Sequence, residues 1–292
     1  SLSISQIFPK ISSSPTACLM SIGSVQTQFF HLDHAFPLES GDSFDSITLA
    51  YETYGTLNGD ASNAILVFHA LTGSQHAAGI NESVPGVAPL WTSESVVGWW
   101  DAFIGPGKAL DTERNFVICA NYLGGCYGST GPRSTNPLTG KPYGSQFPQV
   151  SAWDVIRSQL RLLDALGIDC LHAAIGGSLG GMLSILLATR CPHRVRNVLP
   201  IATGLETTVL HRVHNFEQIL AIRNDPKFHG GDYYEGMPPK DGLLLARIIS
   251  HKTFVSLAVM EKRARQEITV KQPIDQFYKL SNPIESYMFH QG

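Results

Sequence analysis

Leu171-His172-Ala173-Ala174-Ile175-Gly176-Gly177-Ser178-Leu179-Gly180-Gly181-Met182 is the stretch whose reading decides the fold. An apolar run of strand length meets a serine bracketed by glycines, and an apolar run of helical length follows at once. Such a serine sits on a strand-to-helix turn of the Gly-x-Ser-x-Gly kind, tight enough to force a nucleophile into a strained backbone conformation. Gly176, Gly177 and Gly180 are expected to remove the collisions that side chains would make in that turn. Ser178 would then project its hydroxyl from the top of a sheet, over the start of the next helix, which favours developing negative charge. The same letters also fit a glycine-rich connector, so the flanking chain has to supply the context.

Working outward, Val155, Ile156, Leu160, Leu163 and Leu166 recur at helical spacing, and Gly167 supplies a stop before the elbow strand. On the other side, a helix over Met182 to Thr189 is ended by Pro192, and Val198 to Ala202 reads as the next strand. Farther upstream, Ala64 to His69 and Asn115 to Asn121 are continuous apolar runs, as in strands covered on both faces. Ser46 to Tyr51 alternates loosely and runs into Gly55, which suggests an early strand pair at a sheet edge. Strand and helix alternate throughout, the signature of a mostly parallel sheet flanked by helices, an α/β fold.

A hydrolase-type sheet builds its oxyanion hole from one backbone N–H in the loop after an early strand and one on the residue following the nucleophile. Here those donors would be Leu71, in the loop Ala70 to Ser74, and Leu179. The glycine-rich segment Leu123 to Pro132 serves either as an active-site floor or as structure only. The pair Gly107-Lys108 is not a phosphate loop, because Ala109 follows the lysine and no strand precedes it.

Beyond Gly204 the pattern changes. Stretches from Val209 to Ile222, Asp241 to Ser250 and Val255 to Arg265 read as helices without a convincing buried strand, hence a helical cap or lid. Arg247 falls on the apolar stripe of its helix with Leu243, Leu244 and Ile248, where a guanidinium needs a carboxylate or a ligand if it is buried. The chain thus divides into a flexible tail over 1–30, a core over 31–204 and a cap over 205–292.

The bulk numbers point to small or neutral partners. With 292 residues, 43% hydrophobic and 15% charged, the chain buries a large core, and disordered classes are excluded. A net charge of −3, with no Lys/Arg run, speaks against a nucleic-acid partner. The five cysteines are scattered without a Cys-x-x-Cys pair, which points to a reducing, cytoplasmic setting and to no metal site. No apolar run approaches the roughly 20 residues that cross a bilayer, so no membrane association is expected.

Several stretches together closely resemble the homoserine O-acetyltransferase family of the α/β-hydrolase superfamily. They are His69-Ala70-Leu71-Thr72-Gly73, Gly98-Trp99-Trp100-Asp101, Ile104 to Lys108, Asn121 to Cys126, Gly177 to Met182 and Gly230-Gly231-Asp232-Tyr233-Tyr234. The resemblance implies acyl transfer from acetyl-CoA, as a substrate rather than a cofactor, to the hydroxyl of homoserine, on the way to methionine. It implies Ser178 as the acyl-carrying nucleophile in a ping-pong cycle, Leu71 and Leu179 as backbone donors to the oxyanion, and Arg247 as a substrate-binding residue. A homodimer is implied as well.

This chain departs from the family pattern in places. Leu179 stands where the family usually has Met, Leu183 where it has Gln, and Ile219 where the first cap helix carries an arginine. The last two leave serine as an alternative acceptor, and an esterase is an alternative on the same scaffold. The family's catalytic acid and histidine would fall beyond the point that aligns with the end of this sequence. The expectation is therefore a further C-terminal segment, or one supplied by another chain. Failing that, the chain would be a non-catalytic fragment.

Overall fold

The computed structural model describes residues 21–88 and 90–264, together with Glu285 and Met288. The chain divides into two compact units, one formed by residues 1–130 and 148–203, the other by 131–147 and 204–292.

The first unit is built on a six-stranded sheet. Its strands are β1 (Gln28–Leu32), β2 (Ile47–Tyr54), β3 (Ala64–Phe68), β4 (Phe116–Ala120), β5 (Leu171–Gly177) and β6 (Val195–Ile201), in the order β1-β2-β4-β3-β5-β6. β1 pairs antiparallel with β2, and β2 antiparallel with β4. From β4 through β3 and β5 to β6 every pairing is parallel. Every residue of β3 and β4 is buried, which is why these segments read as unbroken apolar runs. Helix α1 (Ala152–Ala165) precedes β5, and α2 (Leu179–Arg190) links β5 to β6. α1 starts at a reciprocal cap in which Ser151 Oγ accepts from Asp154 N and the Asp154 carboxylate accepts from Ser151 N.

One expectation needs correction. β1 begins inside the stretch read as a tail, Val25 N donates to Ile80 O, and Ile22 and Val25 pack on the core cluster around Tyr54, Val67 and Ile175. The Ser-, Gln- and Thr-rich composition of this segment hides a strand because β1 has a neighbour on one side only and exposes half of its surface. The first twenty residues of that tail lie outside the described residues. The early strand pair expected at a sheet edge is formed by β1 and β2, with β2 pairing on its other side with β4.

On the opposite side β6 is the outermost strand among the described residues, with Leu199 and Ile201 47% and 46% exposed. The glycine-rich segment after β4 serves β2: Ser129 Oγ accepts from Ala50 N, and Thr130 Oγ1 accepts from Thr48 N.

The second unit carries α3 (Val209–Arg223), α4 (Lys240–Phe254) and α5 (Leu257–Ala264). α3 and α4 pack closely at Gly242, where a Cβ would lie 2.5 Å from Ala221 O. The Gly-Gly-Asp-Tyr-Tyr stretch clasps the 131–147 excursion, with Asp232 accepting from both the backbone N and the Oγ of Ser145. His229 and Gly230 there adopt left-handed conformations. Among the described residues, no strand follows β6 and no helix is long and apolar enough to cross a membrane.

Candidate active site

β5 delivers Ser178 to the carboxyl end of the parallel strands, and α2 begins with the next residue. Ser178 has φ 54° and ψ −118°, a conformation that a side-chain-bearing residue adopts only where the surroundings enforce it. Its N–H donates to Ile201 O of β6 at 2.9 Å, and its carbonyl accepts from Met182 N, so both backbone groups are used to hold the turn. The side chain is exposed, and among the described residues its hydroxyl has no hydrogen-bond partner.

The glycines divide differently from the expectation. A Cβ on Gly176 would sit 2.3 Å from the Gly180 backbone, and one on Gly180 would sit 2.2 Å from Phe68 O. A Cβ on Gly181 would meet Thr203 at 2.5 Å, whereas Gly177 faces open space. Gly181 therefore takes the steric role expected of Gly177. The Gly180 contact also brings the first turn of α2 against the end of β3, where the loop carrying Leu71 begins.

That loop opens with a turn in which Gly73 N donates to Ala70 O, placing Leu71 at its tip with its side chain 76% exposed. Among the described residues the backbone N–H groups of Leu71 and Leu179 donate to no other group, as donors awaiting an anion must. Leu183 is buried in α2 and Ile219 is exposed on α3. Arg247 lies in the second unit on an exposed face of α4. The buried positions of that helix are Gly242, Ala246 and His251, so the guanidinium is not sealed in an apolar stripe.

Two histidines near the loop have fixed roles. His69 is buried, stacks on Tyr122 with ring centroids 3.7 Å apart, and places Nδ1 2.7 Å from Ala70 O, with Nε2 3.4 Å from Asn121 Nδ2. Burial pushes its imidazole down to about 4, more than the Ala70 contact raises it. With both ring nitrogens engaged, it is a neutral ring that braces the loop.

His76 belongs to a buried cluster that sequence reasoning missed. Its Nδ1 lies 2.8 Å from Glu52 Oε2 and its Nε2 3.0 Å from Val96 O, so both ring nitrogens face acceptors and the ring is an imidazolium. Glu52, fully buried in β2, accepts from four donors: Thr27 Oγ1 and Asn81 Nδ2 on Oε1, Tyr54 Oη and His76 Nδ1 on Oε2. Burial alone would raise the carboxyl, but the His76 contact and the two hydroxyls outweigh it and hold it below its ordinary value. Burial would likewise depress His76, and the Glu52 contact with the Val96 carbonyl keeps it above the ordinary value. The available signal was a carboxylate at an inward position of β2, whose other buried residues are Ile47, Leu49, Ala50 and Tyr54. Among the described residues no cluster of His, Cys, Asp and Glu is arranged to hold a metal ion.

Comparison with known proteins identifies the fold and the family. Residues 63–285 match the model of the alpha/beta hydrolase fold family. The homoserine O-acetyltransferase of Methanohalobium evestigatum is 44% identical over 272 residues, which is 93% of this chain and 54% of that protein. The homoserine O-succinyltransferase of Methylibium petroleiphilum is 44% identical over 94% of this chain and 69% of its own length. The crystal structure of homoserine O-acetyltransferase from Bacillus anthracis superposes with a TM-score of 0.77 at 33% identity, covering 91% of this chain and 70% of that one. The chain spans about half the length of the Methanohalobium relative. It belongs to the α/β-hydrolase fold family and, within it, to the homoserine O-acyltransferases.

Proposed function

We propose that this chain carries the acyl-transfer site of a homoserine O-acetyltransferase, with Ser178 as the nucleophile. The observation that carries the reading is the elbow itself. An exposed serine is held at φ 54°, and the N–H groups of Leu71 and Leu179 have no acceptor among the described residues, in a chain whose relatives are homoserine O-acyltransferases. In the first half-reaction the Ser178 Oγ attacks the thioester carbonyl of acetyl-CoA. The oxyanion forms against Leu71 N and Leu179 N, the C–S bond breaks, and CoA leaves as the thiol with the serine proton. In the second, the homoserine hydroxyl attacks the acetyl-serine, its proton returns to Ser178 Oγ, and O-acetylhomoserine departs. A base must carry these protons, and His69, buried, pushed down to about 4 and with Nε2 facing Asn121 Nδ2, is not it.

Arg247, exposed on α4, binds the acceptor's carboxylate in this reading, as a planar guanidinium does best. Arg247→Ala is predicted to raise KM for homoserine by about tenfold or more, in line with losing a charge-assisted pair of about 1.5–3 kcal/mol. CoA release from acetyl-CoA alone should be unchanged. Because the relatives include both acetyl- and succinyltransferases, the donor is tested directly. Acetyl-CoA with homoserine is predicted to release free CoA faster than succinyl-CoA with homoserine or acetyl-CoA with serine. Ser178→Ala is predicted to abolish the release. Full turnover by that variant would remove Ser178 from the reaction.

A further inference from the structure

We propose that the buried Glu52–His76 pair positions the loop that presents the Leu71 N–H to the oxyanion. The proposal rests on the reading of Leu71 as that donor. Neither residue touches the reacting atoms; both act through the backbone that joins them to Leu71.

The loop from Ala70 to Gly79 has two ends. The first is fixed where Tyr122 Oη donates to His69 O and the Gly180 backbone abuts Phe68. The second is fixed through the pair. Tyr54 Oη donates to Glu52 Oε2 and accepts from Ala77 N at 2.7 Å and Ala78 N at 3.2 Å. His76 itself is a loop residue, clamped between Glu52 and Val96 O. Gln75 is tied in through Thr27, whose hydroxyl also donates to Glu52. Between these ends the segment that carries Leu71 has one backbone hydrogen bond of its own, from Gly73 N to Ala70 O. Ser74 O adds an acceptor for Trp99 Nε1 at the segment's far end.

A pair buried this completely is costly, since each ion gives up its hydration, and a well-packed apolar cluster would stabilise the sheet as well or better. What the ions add is direction. Four donors converge on one carboxylate, and two of them, Tyr54 and His76, reach the loop backbone or belong to it. The arrangement therefore admits one placement of residues 75–78 and, through the short turn, one placement of the Leu71 amide.

The test uses Glu52→Gln, which keeps the shape and removes the charge, and Tyr54→Phe, which keeps the ion pair and releases the Ala77 and Ala78 amides. Each is compared with the parent in acetyl transfer to homoserine and in affinity for phenylboronic acid, whose adduct with Ser178 has the tetrahedral geometry of the oxyanion. A displaced donor predicts a fall in kcat of about tenfold or more, below the 10²–10³ of an absent one. KM for acetyl-CoA should stay within about twofold, and boronate affinity should fall by the same factor as kcat. Should Glu52→Gln fail to fold, Tyr54→Phe decides alone. Variants with lowered melting temperature but parental kcat and boronate affinity would show the pair to be merely structural and overturn the proposal. A parent with neither Ser178-dependent boronate binding nor acetyl transfer would instead overturn the active-site reading, and the proposal with it.

Discussion

At Ser178 the backbone pays a conformational cost for presenting a hydroxyl, and that cost is measurable. Residues held in sparsely populated regions cost of order 1–3 kcal/mol, and φ 54° with ψ −118° is relaxed only for glycine. Ser178→Gly is therefore predicted to stabilise the first unit by about 1 kcal/mol while abolishing acyl transfer; a destabilised variant would show that the turn stores no strain. The neighbouring glycines give a second residue-level contrast. Gly180→Ala drives a methyl to 2.2 Å from Phe68 O and is predicted to cost about 3 kcal/mol, the upper end for overpacking. Gly177→Ala, facing open space, should cost less than 1 kcal/mol. Urea unfolding of the two variants side by side decides it. The spacing of the motif told where the glycines were needed as a group, but not which of them. That depends on Phe68 and Thr203, which reach the elbow from β3 and from the end of β6.

The elements legible beforehand were those whose environment is uniform along their length. β3 and β4 are buried throughout, β5 is buried at all but His172 and Gly177, and all three read as apolar runs, while α1 shows its period and its stop. β1 was invisible because one half-exposed strand next to polar neighbours has neither signature. The Glu52 cluster was invisible for another reason. Apart from Glu52 and Tyr54, which share β2, its members Thr27, His76 and Asn81 come from elsewhere in the chain and are assembled only by the sheet and its loops. At this scale the cap of α1 offers a direct check. Ser151→Ala removes the acceptor of Asp154 N and is predicted to cost about 1 kcal/mol in thermal or urea unfolding. No measurable loss would mean that the Glu39 N and Arg157 contacts to Asp154 suffice to hold the helix start.

For the whole molecule, the buried ionisable groups set a pH window. His69 titrates at about 4 when folded against an ordinary 6.5, so the unfolded chain takes up its proton first and stability is lost as pH falls between those values. The full effect is on the order of 3 kcal/mol, from 1.36 kcal/mol per unit. Glu52, lowered, adds stability above its ordinary value that is lost as pH falls through the folded one. His76, raised, stabilises fully below 6.5, and this contribution is lost as pH rises through its folded value. All four tryptophans, Trp91, Trp99, Trp100 and Trp153, lie in the first unit, so their fluorescence reports its unfolding selectively. The urea midpoint is predicted to fall on both flanks of a plateau, and Glu52→Gln should remove the part of the alkaline fall that precedes the ionisation of Cys119, Tyr54 and Tyr122, whose burial raises them and adds a fall of its own at higher pH. An alkaline limb unchanged in that variant would contradict the imidazolium assignment of His76.

The central claim is that Ser178 carries the acyl group. It is tested most directly by mixing the protein with acetyl-CoA alone and following CoA release and peptide mass together. The prediction is a burst of CoA equal to the protein present, with one acetyl group on the peptide bearing Ser178. The acetyl group should be discharged when homoserine is added, and both signals should be absent in Ser178→Ala. CoA released only after homoserine is added, with Ser178 never acetylated, would contradict the account.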